Sequence, residues 1–232
     1  MAVKIYNAGL KNIRIRENQV FTTPDLITDA GKFIESAGGY YAGGNILVDG
    51  KEYAIIIAPK ELGEYNGTIQ WKTSQTTTSG ANSTYNGKAN MDAIVAAGLS
   101  DHPAAQYCAN LDINGFNDWH LPAPDELEIC YRFLKPTTAD NYTSSRALHD
   151  AVNGTNPNSN PVGSGYSTSD PSQTGVSEFQ DGGSQAFEVA YYWTSMEYNS
   201  SNSWNQSFYN GNQNFNYKTN SYRSRAVRWL EV

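Results

Sequence analysis

The sequence predicts an α+β fold: a small, twisted, mostly antiparallel sheet, two or three helices and long polar loops. Three observations carry that prediction. Two apolar runs, Asn45 to Val48 and Glu52 to Ala58, flank Asp49-Gly50, a hairpin dipeptide because a type I′ turn needs positive φ at both central residues. Leu127, Cys130, Tyr131 and Leu134 fall at i, i+3, i+4 and i+7, the single apolar stripe of a packed helix. From Asn153 to Gln185, 23 of 33 residues are Gly, Pro, Ser, Thr or Asn, which gives a long loop or insertion rather than a periodic element.

The bulk numbers narrow the function classes. At 232 residues the chain forms one large domain or two small ones. Net charge is −7, with no cluster of Lys and Arg, which argues against nucleic acid and anionic membrane as partners. No stretch approaches the ~20 apolar residues of a membrane span, so no membrane insertion is expected. The first residues, MAVKIYNAGLKNIRIRENQ, hold no apolar run of signal-peptide length. The reading is a protein made in a reducing cytosol. Two cysteines, Cys108 and Cys130, are too few for a disulfide scaffold and are expected as buried free thiols.

In chain order, residues 1–36 read as an N-terminal arm or docking segment, too short for its own core. Lys4 to Tyr6 and Asn12 to Arg16 suggest short strands. Pro24 to Glu35 suggests a helix, with Thr23 as N-cap and Pro24 at the first position. Residues 37–232 form the main domain. The Asp49-Gly50 hairpin is followed by a strand from Thr68 to Thr73 around Trp71. Helices are expected from Asn90 to Gly98 and from Pro103 to Leu111, the latter with Ala104, Ala105, Cys108 and Leu111 on one face. A third begins near Pro124, with Asp125 and Glu126 in the first turn, where the dipole favours anions, and ends at Pro136. A weaker helical stretch runs from Ser144 to Val152. After the polar insertion, Trp204, Gln206 and Phe208 alternate with polar residues, Asn210-Gly211 marks another hairpin turn, and Ala226 to Val232 reads as a closing strand.

Between Tyr198 and Ser224, 21 of 27 residues are Asn, Ser, Thr, Tyr or Phe, interrupted by Trp204, Gln206, Gly211, Gln213, Lys218 and Arg223. Rigid rings supply contact area and small polar groups supply adaptable hydrogen bonds, the composition of a recognition surface. A merely polar β surface has no reason to display Tyr198, Tyr209, Phe215, Tyr217 and Tyr222.

Five ordered phrases, NGKANMDAI (86–94), AAQYCANL (104–111), NDWHLPAPDELEI (117–129), YYWTSMEY (191–198) and SRAVRWL (224–230), resemble the DUF1566, or Lcl C-terminal, domain family. His120 stands where that family has Arg, and Ala123 where it has a capping Thr. The resemblance implies a C-type-lectin-like fold whose first and last strands pair, here Glu52 to Pro59 with Arg225 to Val232.

The stretch from Met196 to Arg228 resembles the variable region (about 196–224) of proteins diversified by a diversity-generating retroelement, among them phage tail-fibre receptor-binding proteins of the major tropism determinant type. In such systems template adenines are copied with errors. An Asn codon changed at its first two bases gives Ser, Thr, Tyr or Phe, but not Trp, Gln, Lys, Met or Glu. The resemblance implies fixed scaffold at Trp193, Trp204 and Trp229, with Asn205 and Phe208 as framework. It implies ligand contacts at Tyr198, Asn199, Ser201, Asn202, Ser203, Ser207, Tyr209, Asn212, Asn214, Phe215, Asn216, Tyr217, Thr219, Asn220, Ser221 and Tyr222. Ser224 stands where the family tends to be apolar.

Other chemistry is poorly served. Asp112, Asn114, Asn117 and Asp118 raise calcium as a candidate, but their spacing departs from an EF-hand loop and Asx turns account for them. His102, His120 and His149 have no zinc spacing with the cysteines. No nucleophile elbow is complete. Ion pairs of Arg223, Arg225 and Arg228 with framework carboxylates such as Glu197 or Asp125 are expected. The expected function is a non-enzymatic binding protein without cofactor, located in a phage tail virion. It would recognise a bacterial surface protein or glycan, attach to other tail proteins through the N-terminal arm, and is compatible with a homotrimer. The alternative is a bacterial cell-surface adhesin or carbohydrate-binding module without diversification.

Overall fold

The structure is a computed structural model that describes residues 13–16, 19–22, 30–146 and 151–232. An antiparallel hairpin of β1 (Ile13–Arg16) and β2 (Gln19–Thr22) comes first. Then follow β3 (Phe33–Ile34), a 3-10 turn at Glu35–Ala37, β4 (Gly39–Val48) and β5 (Lys51–Ile57). The short α1 (Lys60–Gly63) and β6 (Ile69–Gln70) lead into α2 (Gly87–Gly98), α3 (Pro103–Ala109) and α4 (Pro124–Leu134). Next are β7 (Ser145–Arg146), β8 (Ala151–Val152) and β9 (Ser159–Asn160). The C-terminal set is β10 (Tyr191–Glu197), β11 (Asn202–Ser207), β12 (Gln213–Tyr217), β13 (Ser221–Tyr222) and β14 (Val227–Glu231). The result is α+β, a curled antiparallel sheet with few helices.

The central sheet runs β14-β5-β4-β3, with β9 added to β4. Its hairpin turns on Asp49 (φ 50°) and Gly50 (φ 76°), both positive as a type I′ turn requires. The expected pairing of the C-terminal strand with the Ile-rich strand is present, from Val227 opposite Ile57 to Glu231 opposite Tyr53. Ala54 and Ile56 join Trp71, Ile94, Trp119 and Trp193 in one core cluster, whereas Ile55 and Ile57 join Leu127, Cys130, Tyr131, Leu134 and Phe208 in another. Both faces of β5 are covered, so its sequence reads as continuous Ile rather than alternation.

Helix α2 starts at Gly87, earlier than Asn90, because the Asn86 side chain accepts the Ala89 N–H at 2.8 Å. Gly98, at φ 107°, ends it. In α3, Ala104, Ala105 and Cys108 form the buried face. In α4 the whole expected stripe is buried, and so are Asp125, Glu126 and Glu128. Ala123 has no side-chain cap to offer, and Glu126 reaches back to accept the Ala123 N–H at 2.7 Å. Glu128 accepts from Asn156 Nδ2 (2.9 Å) and the Tyr166 hydroxyl (3.0 Å) and pairs with Arg132 at 2.8 Å. The aperiodic insertion is therefore core material: it wraps α4, and Tyr166 and Phe179 are buried within it.

Four expectations are corrected. The helix at Pro24 to Glu35 is not formed where it is described: Phe33 and Ile34 pair with Tyr40 and Gly39 at the open edge of β4, which outweighs local propensity. Its residues 24–29, like the strand at Lys4 to Tyr6, lie outside the described residues. The strand around Trp71 shrinks to Ile69–Gln70, and Trp71 is instead a buried anchor whose Nε1 donates to Thr194 O at 2.8 Å. The helix at Ser144 to Val152 is replaced by β7 and β8, paired Ser145 to Val152 and Arg146 to Ala151, with residues 147–150 outside the described set. There the Asn153 side chain donates to Ser144 O at 2.6 Å and closes the hairpin mouth. The arginines find other carboxylates than Glu197 or Asp125: Arg223 and Arg225 face Glu64, and Arg228 pairs with Asp118 at 2.6 Å.

Candidate ligand-binding surface

A separate sheet, β10-β11-β12, carries the Asn/Ser/Tyr-rich stretch. Trp204 lies opposite Phe215, and Gln206 opposite Gln213. Five of the six residues that interrupt the stretch, namely Trp204, Gln206, Gly211, Gln213 and Lys218, are buried; Arg223 is half-buried. Each buried one that carries a polar side chain is tied inward. Gln213 Oε1 accepts the Gly154 N–H at 3.2 Å, and Gln206 Nε2 donates to the Tyr166 hydroxyl at 3.3 Å. Trp193, Asn205, Phe208 and Ser224 are buried as well. Trp229 is half-buried, with Nε1 donating to Glu126 at 2.7 Å.

The exposed positions of the stretch are all Asn, Ser or Tyr: Tyr198 (42%), Asn199, Ser200, Tyr209 (54%), Asn214, Tyr217 (55%) and Ser221. Ser201, Asn202, Asn212, Phe215, Asn216, Thr219, Asn220 and Tyr222 are half-buried. Together they form an edge strip: β12 itself, roughly 17 Å long at 3.4 Å per residue, the turns at its two ends and the β10–β11 turn beside its Tyr217 end, with Asn214 and Asn216 on the opposite side of the sheet from Phe215 and Tyr217. The Tyr198 ring stacks on Phe215 at 3.8 Å, and both lie edge-on to Trp204. A buried indole thus sets the height of two partly exposed rings. Ser200 and Asn210 share this composition but were not among the expected contacts.

Two expected contacts are corrected. Ser203 and Ser207 are buried, because β11 is the middle strand of three and a short side chain there does not reach past its neighbours. Tyr222 also serves packing, with its ring 4.7 Å from Trp193.

A buried polar layer supports the far end of the strip. Lys218 Nζ meets Glu197 at 2.6 Å and Thr76 O at 2.8 Å, and its ammonium lies 5.1 Å from the Trp71 ring. Lys72 Nζ donates to Thr78 Oγ1 at 3.1 Å, and Thr78 Oγ1 lies 2.8 Å from His102 Nε2. His102 Nδ1 lies 2.8 Å from Gly98 O. Because Gly98 O can only accept, Nδ1 carries the proton, and the Thr78 hydroxyl donates to a bare Nε2. Sequence reading singled out Lys218 as an interruption of the stretch but could not supply its partners: Lys218 and Thr76 are 142 positions apart, and Thr76 sits in no motif.

This layer yields a pH prediction. Burial lowers the His102 pKa below 6.5. Below 6.5 the unfolded chain takes up a proton that the folded chain refuses, so stability falls with acidification until the folded pKa is reached. Urea unfolding at pH 7.5 and 5.5 should show a smaller pH difference for His102→Gln than for the parent, since Gln can keep both hydrogen bonds without titrating. Equal differences would show that His102 is not the group responsible.

Both cysteines are free and buried. Burial pushes the Cys108 thiol up to about 12 and raises Cys130 further, which leaves neutral thiols at neutral pH. Among the described residues, no group of three or more His, Cys, Asp or Glu is placed to hold a metal. Of the calcium candidates, Asn114 (φ 56°) forms the turn between Ile113 and Phe116 together with Gly115 (φ 81°), and Asp118 binds Arg228. His120 Nε2 lies 3.1 Å from Glu126 in the buried latch beneath β14.

No curated protein matches the chain. The family model described as the Lcl C-terminal domain matches residues 64–228, more than two thirds of the sequence. That span takes in four of the five phrases in full together with every strand of the Asn/Ser/Tyr-rich sheet, and the chain belongs to the Lcl C-terminal domain family.

Proposed function

We propose that this chain is a non-enzymatic, diversified ligand-binding protein of C-type-lectin-like fold, the receptor-binding protein of a phage or prophage tail. It recognises a bacterial surface protein or glycan through the strip along β12, needs no cofactor, and leaves residues 1–36 to attach it to other tail proteins. One observation supports this reading most. Residue types that an Asn codon cannot reach by change at its first two bases, Trp204, Gln206, Gln213 and Lys218, are buried, while every exposed position from 198 to 224 is one that it can reach. The exposed side chains of the strip can then change without touching the core. Several copies on one particle, as in a trimeric fibre, would turn weak single contacts into avidity.

The test is binding to a panel of whole bacterial cells. Tyr209→Ala, Asn214→Ala and Tyr217→Ala combined should lower binding by about two orders of magnitude and keep the thermal midpoint within about 2 °C. Unchanged binding would sink the proposal. At the locus, a near-copy of the 3′ coding end differing only at adenines, beside a reverse-transcriptase gene, is expected. Its absence would leave a surface adhesin without diversification.

A further inference from the structure

We propose that the ligand is a protein, and that an extended segment of it adds as a fourth strand to the open edge of β12. This rests on the strip being the binding surface and specifies what that surface takes. Strand β12 is the last strand of its sheet, and among the described residues nothing pairs with its outer side. Which backbone groups face outward follows from the hydrogen bonds. Ser207 N–H donates to Asn212 O, and Lys218 N–H to Ser201 O. By antiparallel alternation, Asn214 and Asn216 then bond to β11, while Gln213, Phe215 and Tyr217 turn their N–H and C=O groups away from it. The ends of this outer row are occupied. Gln213 N–H donates to Asn153 Oδ1 at 2.8 Å, and Tyr217 O accepts the Asn220 N–H at 2.9 Å. Between them the row runs from Gln213 C=O through both groups of Phe215 to Tyr217 N–H. On Phe215 N–H sits the exposed Asn214 side chain, its Oδ1 at 2.8 Å. A carbonyl oxygen already fills the place that an incoming strand's carbonyl would take.

Two further features fit an extended main chain better than a sugar. Donors and acceptors that alternate at two-residue spacing match another strand. Edge strands are normally protected by Lys, Pro, a bulge or a covering segment, and Gln213–Tyr217 has no Lys, Pro or bulge. The single charged side chain between 198 and 222, Lys218, is buried against Glu197, so the edge carries no charge to repel a partner. Such a docking also suits exchangeable side chains. Main-chain bonds persist whatever residues other than Pro occupy 214 to 217, so affinity has a constant part, and the side chains supply selectivity.

The experiment uses two probes on the full chain: an array of random uncharged heptapeptides and an array of neutral and acidic oligosaccharides. Main-chain pairing tolerates many side chains, so the peptide array should hold binders. Phe215→Pro removes the outward N–H, at a position where an edge strand tolerates Pro; Phe215→Ala removes the ring alone. Phe215→Pro should bind the captured peptides about tenfold more weakly than Phe215→Ala, the size of one such bond left unmade. The parent should lose a comparable factor on peptides N-methylated at alternate residues, which tests the idea even if Phe215→Pro folds poorly. Equal binding by the two variants together with indifference to N-methylation would overturn strand addition, as would capture of oligosaccharides alone or of nothing. Dimerisation of the parent that Phe215→Pro abolishes would assign the edge to a second copy and overturn it too. Loss of cell binding by the Tyr209/Asn214/Tyr217 variant alongside any of these results would leave the surface standing and remove only the strand.

Discussion

Replacing Arg225 by Met is expected to destabilise the fold by roughly 3–5 kcal/mol, the range for breaking a buried charged network at one partner. Arg225 is 1% exposed. Its Nε donates to Ala58 O at 3.0 Å, Nη1 to Gln185 O at 2.8 Å and Nη2 to Gln185 Oε1 at 3.2 Å. The guanidinium lies 4.7 Å from the Phe187 ring and 3.8 Å from Glu64. One side chain thus ties the end of β5, the segment before β10 and the start of β14. Met keeps most of the volume and forfeits every hydrogen bond, so the loss reads polar pairing rather than a cavity. The deficit is also pH-dependent. Burial raises the Glu64 pKa, and Arg225 opposes that rise. Without Arg225 the folded value climbs further above the unfolded one. The folded variant then holds a proton that the unfolded chain releases, and its stability falls as pH rises. Urea unfolding should therefore show the deficit narrowing from pH 7 to pH 5. A Glu64→Gln/Arg225→Met double variant should be less destabilised than the sum of the singles, as for coupled neighbours. Strict additivity would mean that the carbonyls, not Glu64, carry the cost.

Much of this architecture was legible because it is encoded locally. Asp49-Gly50 states its turn in two residues, and the Leu127 stripe states its helix in eight. The divided character of 198–224 was legible for a different reason: composition separates a field of Asn, Ser, Thr, Tyr and Phe from the residues that interrupt it, and the interrupting residues Trp204, Gln206, Gln213 and Lys218 are buried. What escaped is non-local. Ser203 and Ser207 look like their exposed neighbours, and only the order of strands places them in the middle of a sheet. Phe33 and Ile34 fit a helix until the edge of β4 claims them. Asp125 reads as a first-turn acid favoured by the helix dipole and Glu128 carries no signal of its own, because nothing nearby announces that Asn156, Asn158 and Tyr166 will close over them. The low-complexity insertion gave the weakest sequence signal and supplies much of the cover for α4.

Glu126 marks the far end of that gap between pattern and role, and it carries the second large effect. Glu126→Ala is expected to cost roughly 3–5 kcal/mol, since several buried donors lose their acceptor together. Oε1 accepts the Gly87 N–H (3.2 Å) and Trp229 Nε1–H (2.7 Å), while Oε2 accepts the Ala123 N–H (2.7 Å) and lies 3.1 Å from His120 Nε2. One carboxylate joins the start of α2, the N-cap of α4 and β14, and of these partners Gly87, His120 and Ala123 are buried. The discriminating variant is Glu126→Gln. It keeps the shape and one acceptor oxygen, but whichever way the amide turns, its NH2 faces a backbone N–H, Ala123 on one side or Gly87 on the other. Gln should therefore recover less than half of the Ala deficit in urea unfolding. If Gln proved nearly neutral, Glu126 would be a packing residue with incidental hydrogen bonds. A large Gln deficit would make it the acceptor on which both helix starts converge, the part that the missing Thr at Ala123 leaves to this side chain alone.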